Sequence, residues 1–410
     1  MKLLIKCLIF SLLLLGSFLG IAQDHQLCNS QEFRVDVYSE VDILKDVKYG
    51  EAKTIAGVTQ ELKMDIYSPK TQSIENRPVV VLAFGGSFIS GNKSSLALLA
   101  TAFARKGYVA VSIDYRIYDL PLNPLPTSLE MQDVVAKAIK DMKTAVKFLH
   151  DDAVSGNTYG IDEDWIFVGG VSAGSIVASH VAMLDSSEVV AGTLKNAFDN
   201  NAPIDGITNT DSSIHIRGLL NYSGALFSAD IIDSNDPPLV SFHDDGDGTV
   251  PYGGRDISLL GSKILYVDGS YVMDSVARLK GLKSELNTFV NSNDHMSYFK
   301  NAQKMNEVIE QSSMFMFSEL CSETAAISTF QSEESFGVYP NPFTSTITFS
   351  SLPGFNNEIV VRNAIGQEVY TTECSDRDVC VLNLEELQSG IYIVEVSGED
   401  RLQKTKIVKE

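Results

Sequence analysis

Apolar and polar positions change rhythm partway along this 410-residue chain. In the first three quarters, short and nearly continuous apolar runs alternate with longer stretches whose apolar residues recur every three or four positions. The runs Lys63 to Tyr67, Val79 to Ala83, Val109 to Ile113, Trp165 to Val168, Gly218 to Tyr222, Leu239 to Phe242 and Leu286 to Val290 predict strands. Helices are predicted over Ser94 to Arg105, Met131 to His150, Ser172 to Leu184, Tyr271 to Leu282 and Tyr298 to Leu320. Repeated β-α-β order implies an α/β fold, a doubly wound and mostly parallel sheet with helices on both faces. Ligands of such sheets sit at the carboxyl ends of the strands. Residues 322–336, rich in Ser, Thr, Glu and Ala, read as a linker. Beyond it the period drops to two, predicting strands near Thr344 to Ser350, Glu358 to Arg362, Glu368 to Thr372, Val379 to Leu382, Ile391 to Val396 and Gln403 to Val408. That texture predicts a small all-β, sandwich-like module over 337–410, after a large domain over 23–321.

The first residues follow neither rhythm. Lys2 and Lys6 precede the apolar run Cys7 to Ile21, with Gly20 and Ala22 as small residues at its end, so residues 1–22 are expected to be a cleaved export signal. No stable membrane span is expected in the remainder. A net charge of −21, which becomes −23 without the two leader lysines, repels phosphate backbones and excludes nucleic acid as a partner. Export to an oxidising compartment favours disulfides among Cys28, Cys321, Cys374 and Cys380, with Cys28–Cys321 and Cys374–Cys380 the expected pairs.

Candidate chemistry starts at Gly170-Val171-Ser172-Ala173-Gly174, between a predicted strand and a predicted helix. A serine hydroxyl needs a tight turn, a base and nearby backbone donors to act as a nucleophile, and this pattern can supply the turn. Ser172 is therefore the candidate nucleophile and the Ala173 amide a candidate oxyanion donor. In doubly wound hydrolases the acid and then the base follow in chain order. Of six histidines, His25 precedes the fold, His150 ends a helix, His180 lies inside one, and His215 and His243 border strands ahead of the acid. His295 alone follows the last predicted strand and is the candidate base; since it must be neutral to act, activity should fade below about pH 6. The acid is expected in His243-Asp244-Asp245-Gly246-Asp247-Gly248, where Asp247 is chosen over Asp244 and Asp245. A metal is not expected, because later calcium-loop positions are missing and no Cys or His spacing suits ligation. Phe84-Gly85-Gly86-Ser87-Phe88, after a predicted buried strand, offers Gly86 and Ser87 as further oxyanion donors.

Together these residues resemble the carboxylesterase branch of the α/β-hydrolase superfamily, the group with His-Gly-Gly-Gly-type oxyanion loops. Asp114-Tyr115-Arg116 and Tyr159-Gly160-Ile161-Asp162 extend the similarity over roughly residues 45–320. Phe84 stands in place of the usual histidine, Ser87 of the third glycine, and Ser175 of a glycine after the elbow. The resemblance implies a cofactor-free ester hydrolase, with a serine peptidase or a non-catalytic adhesion protein of the same fold as rivals. Acetyl or feruloyl esters of polysaccharide and polyester are the substrate classes considered, with the loop Leu120 to Leu129 and the polar segment Ser186 to Ser213 as candidate pocket walls. Separately, Val338-Tyr339-Pro340-Asn341-Pro342-Phe343, Ser389-Gly390-Ile391-Tyr392-Ile393 and a basic terminus resemble the C-terminal sorting domain of Bacteroidetes type IX secretion. That implies the secretion machinery as a partner and passage through the outer membrane to the surface or the medium.

Overall fold

The computed structural model describes residues 31–71, 76–184, 197, 214–259, 262–326, 337–350, 357–363, 368–375, 379–398 and 401–409. The expected leader, Cys28 and all of the 186–213 segment except Ala197 lie outside the described residues. Two compact units divide the chain after Ala325.

The larger unit is built on an eight-stranded sheet in the order β1-β2-β4-β3-β5-β6-β8-β11. Its strands are β1 (Val41–Lys53), β2 (Thr59–Pro69), β3 (Arg77–Ala83), β4 (Val109–Ile113), β5 (Ile161–Val171), β6 (Ile216–Tyr222), β8 (Leu239–Asp244) and β11 (Ser284–Phe289). Only β1 and β2 run antiparallel to their neighbours; every pairing from β4 to β11 is parallel. The sequence pattern follows from position: β3, β4 and β8 are buried at every residue and so are almost continuously apolar. β1, at the edge, is mostly exposed and carries no such signal.

Among the described residues, five helices connect or cover these strands: α1 (Ala97–Lys106), α2 (Ser128–Ser155), α3 (Ala173–Met183), α4 (Ser270–Leu279) and α5 (Ala302–Ala326). α2 starts on a capping box in which the Thr127 side chain accepts from the Glu130 N–H and Glu130 returns a bond to the Thr127 N–H. α3 is buried at every position, so its apolar residues show no one-sided stripe. α5 continues to Ala326, through the first residues of the expected linker. Edge strand β1 was not among the expected strands, nor was a hairpin formed by β9 (Gly254–Leu259) and β10 (Ser262–Gly269), whose β10 also pairs with the short β7 (Ala225–Leu226).

The smaller unit holds two antiparallel sheets, β12-β13-β16 and β15-β14-β17-β18. Their strands are β12 (Gly337–Tyr339), β13 (Thr346–Ser350), β14 (Asn357–Asn363), β15 (Glu368–Cys374), β16 (Val379–Asn383), β17 (Gly390–Gly398) and β18 (Arg401–Lys409). Alternate residues, among them Ile347, Phe349, Ile359, Val361, Val394 and Val396, form its own core. Cys374 and Cys380 are joined by a disulfide. Cys321 is also disulfide-bonded, and its partner lies outside the described residues.

Candidate active site

Strand β5 ends at Val171 and α3 begins at Ala173, so Ser172 alone makes the turn. Its backbone sits at φ 55 and ψ −119, a conformation L-residues hold only when their surroundings impose it. Two glycines make room for it. A Cβ on Gly170 would lie 2.2 Å from the Gly174 carbonyl oxygen, and one on Gly174 would lie 2.1 Å from that of Ala83. Both obstacles are backbone and cannot swing aside, so the start of α3 closes directly onto β5 and the end of β3. The Ser172 N–H then donates to the Tyr222 carbonyl at 2.9 Å, fastening the turn to β6.

The structure brings Ser172, His295 and Asp247 into one contact chain from three loops at the carboxyl ends of β5, β11 and β8. His295 Nε2 lies 2.7 Å from Ser172 Oγ, and His295 Nδ1 lies 2.6 Å from Asp247 Oδ2. A carboxylate oxygen can only accept, so Nδ1 carries the proton and Nε2 accepts from the serine hydroxyl. Ser172 and Asp247 are 6% and 4% exposed, which keeps water from competing for either bond. Burial alone would raise the Asp247 carboxyl. Hydrogen bonding and electrostatic attraction from His243, His295 and the Thr249 N–H outweigh burial and hold it well below the ordinary carboxylate range.

Asp244 and Asp245, the alternatives to Asp247, do not reach His295 but grip its loop on either side. Asp245 accepts from the N–H groups of Asn291 and Ser292 at 2.9 and 3.0 Å, and Asp244 accepts from the Ser297 N–H at 2.9 Å. Those backbone donors lower the Asp245 carboxyl below its usual range. Three carboxylates of one loop thus fix three successive points of the next.

Ser87 and Ala173 line a crevice together with Ser172. Ala173 is the first residue of α3, where an amide has no acceptor within its own helix. Ser87 and Phe88 both take positive φ, 55 and 62, which folds the loop over the elbow. Gly86 forms the turn beneath, its carbonyl accepting from the Ile89 and Ser90 N–H groups. Phe84 explains how the loop stands without the usual histidine: its ring stacks on Tyr115 at 4.2 Å, and the Tyr115 hydroxyl donates to its carbonyl at 2.6 Å.

Among the described residues no charged side chain lines the crevice. Met131, Gln132 and Val135 of α2 line it, as do Ile257, Ile264 and Leu265 of the β9–β10 hairpin. Phe88, Ile176 and Phe227 add to the apolar surface. The expected wall at Leu120 to Leu129 is displaced by one helical turn: α2 supplies the lining, while Leu122, Leu125 and Leu129 stay exposed. The Ser128 hydroxyl ties α2 to the hairpin by donating to the Ile264 carbonyl.

Residues 64–226 match the BD-FAE family, and residues 337–410 match the secretion system C-terminal sorting domain. The chain is similar to a curated rice protein, "Probable isoprenylcysteine alpha-carbonyl methylesterase ICMEL1" of Oryza sativa subsp. japonica. The two are 28% identical over 155 residues, which is 37% of this chain and 31% of that one. It is also similar to an ulvan lyase, NLR42, of Nonlabens ulvanivorans, at 22% identity over 234 residues, 54% of this chain and 37% of that one. The chain therefore spans about a third of the length of these relatives. Among solved structures, apo Thermogutta terrifontis esterase 2 aligns at 20% identity over 68% of this chain and 94% of its own, with a TM-score of 0.46. Among the described residues no helix is long and apolar enough to cross a membrane. Residues 64–226 thus carry a likeness to the BD-FAE family on an α/β-hydrolase-type sheet, and the secretion system C-terminal sorting domain behind them marks the chain for export to the cell surface or the medium.

Proposed function

We propose that this chain is an exported serine ester hydrolase. Ser172 attacks the ester carbonyl while His295 takes its proton, and Asp247 fixes the imidazole tautomer and stabilises the imidazolium. The N–H groups of Ala173 and Ser87, with the Gly86 turn holding the loop, receive the negative charge that develops on the carbonyl oxygen. His295 returns the proton to the leaving alcohol, and water activated by the same imidazole then releases the acid from Ser172. The observation that carries this reading is the unbroken chain of contacts, 2.7 Å from Ser172 Oγ to His295 and 2.6 Å from His295 to Asp247. No cofactor enters any step.

The crevice narrows the substrate. Its lining among the described residues is mostly apolar and carries no charge, with large apolar side chains such as Phe88, Met131 and Phe227 shaping it. The acid half of the ester is therefore an uncharged apolar group larger than acetyl, aromatic or of several carbons. Among the classes considered, aromatic esters such as feruloyl esters and aliphatic polyesters suit it better than acetyl esters. The strongly acidic surface disfavours polyanionic polymers.

The test is hydrolysis of p-nitrophenyl butyrate by wild type and Ser172→Ala, with fluorophosphonate labelling alongside. Ser172→Ala is expected to lose at least a thousandfold in kcat and all labelling. Wild-type turnover by that variant refutes the assignment.

A further inference from the structure

A histidine outside the catalytic trio stands at the back of Asp247. His243 is the penultimate residue of strand β8, is 0% exposed, and approaches the same carboxylate oxygen, Asp247 Oδ2, that holds His295. Its Nε2 lies 3.1 Å from the Val250 carbonyl and 3.4 Å from Asp247 Oδ2. Both are acceptors, so Nε2 carries the proton, which points chiefly at Val250 with the carboxylate as a longer second acceptor. Nδ1 must then accept, and the Ser270 hydroxyl is 2.6 Å away to donate to it.

Ser270 is itself held from behind. The Asn221 Nδ2 donates to Ser270 Oγ at 3.0 Å and to Ser241 Oγ at 2.9 Å, while Asn221 Oδ1 accepts from Ser175 Oγ at 2.7 Å and from the Gly224 N–H at 2.9 Å. All the side chains in this chain are wholly buried. Every donor is turned the same way, from Ser175 on the nucleophile helix through Asn221 and Ser270 to His243 and Asp247. The backbone completes the grip: Asp247 Oδ1 accepts from the N–H groups of Thr249 and Val250, and His243 holds the carbonyl of that same Val250.

We propose that His243 is a positioning residue for the Asp247 carboxylate, locked in its Nε2–H tautomer by Ser270 and Asn221. The assignment rests on the proposed ester-hydrolase reading. Other charged and titratable groups face this region: Asp244 and Asp245 on the same loop, Asp294 beside His295, Tyr298 under Asp244, Tyr252 against the His243 ring, and Arg255, whose Nη2 donates to the Asp247 carbonyl. None of them offers a second side-chain donor to Asp247 Oδ2. Removing the His243 N–H leaves the carboxylate charge less shared, so it attracts the His295 imidazolium more strongly and the protonated, inactive form persists to higher pH.

The experiment compares kcat, KM and the pH profile of kcat/KM for wild type, His243→Leu, His243→Gln and Ser270→Ala on p-nitrophenyl butyrate. His243→Leu is expected to lose roughly 10- to 100-fold in kcat, the range one hydrogen bond to a charged group supports, with KM within about twofold. Its acid limb is expected to rise by roughly half a pH unit or more. His243→Gln restores an N–H donor and most of the rate. Ser270→Ala keeps the ring but frees its tautomer, and shifts the limb the same way by less. If His243→Leu does not fold, the Gln and Ala variants decide alone. Unshifted acid limbs in the folded variants, or a loss in His243→Leu that His243→Gln does not relieve, overturn the proposal. A wild type whose hydrolysis survives Ser172→Ala instead overturns the reading beneath it.

Discussion

Acid should loosen this domain through a histidine that takes no part in catalysis. His180 lies in α3 and is 0% exposed. Its Nδ1–H donates to the Ile176 carbonyl at 2.7 Å, its Nε2 accepts from the Phe227 N–H at 3.2 Å, and its ring packs on Phe227 with centroids 4.0 Å apart. Both nitrogens are committed in the neutral form. Burial, and secondarily the nearby Lys143 ammonium, push the imidazole down to about 4 from its ordinary value of 6.5. Between those values the unfolded chain holds a proton that the folded chain refuses, so stability rises with pH across the window and is lost as pH falls through it. The full gap corresponds to about 3 kcal/mol, or on the order of 10 °C in Tm for a domain of this size. The perturbation is His180→Leu, which removes the titration while leaving the Phe227 N–H without an acceptor, at about 1 to 3 kcal/mol. The assay is thermal unfolding by circular dichroism from pH 7.5 to 4. The variant is expected to start lower but to fall less steeply, converging on wild type near pH 4. Parallel curves for the two proteins would refute the reasoning. Because Phe227 lines the crevice, wild-type KM for an apolar ester should rise over the same pH interval.

Other expectations follow from single contacts. Gly174→Ala drives a Cβ to 2.1 Å from the Ala83 carbonyl oxygen and 2.4 Å from that of Phe84, so α3 must back away from β3. The expected result is a loss of at least roughly a hundredfold in kcat with reduced stability, read from initial rates and thermal melts. Asp245→Ala frees the N–H groups of Asn291 and Ser292 and should lower kcat roughly tenfold with little change in KM, measured on p-nitrophenyl butyrate. Ile264→Trp fills the hairpin side of the crevice. The ratio of kcat/KM for p-nitrophenyl hexanoate to that for the acetate should then drop by roughly a factor of ten, a size discrimination typical of apolar pockets.

What the sequence made legible and what it hid follow from how far each residue's partners lie. β3, β4 and β8 are buried on both faces, so their burial is written into consecutive residues. The elbow is legible for the same reason, since Gly170 and Gly174 serve the turn they flank. The β9–β10 hairpin is different: Tyr266 is 51% exposed, Arg255 is exposed, and apolar Ile257 and Leu265 are only half-buried, so its strands read as loop. Its importance arises only when Ile264 and Leu265 join Met131, more than a hundred residues earlier in the chain, in lining the crevice. In sequence His243 reads only as a strand-border residue, because nothing next to it announces a role. Its hydroxyl donor comes from α4, and the amide behind that donor comes from β6. Ser175 carries the same lesson in reverse. It stands in place of a glycine after the elbow, and its hydroxyl is the first donor of the buried chain that ends at Asp247. Substituting glycine there would leave Asn221 Oδ1 with the Gly224 N–H alone, and the donors would no longer be set in one direction from α3. The departure from the family pattern at Ser175 and the histidine behind Asp247 are therefore two ends of one device. Neither is intelligible until the strands between them are laid side by side.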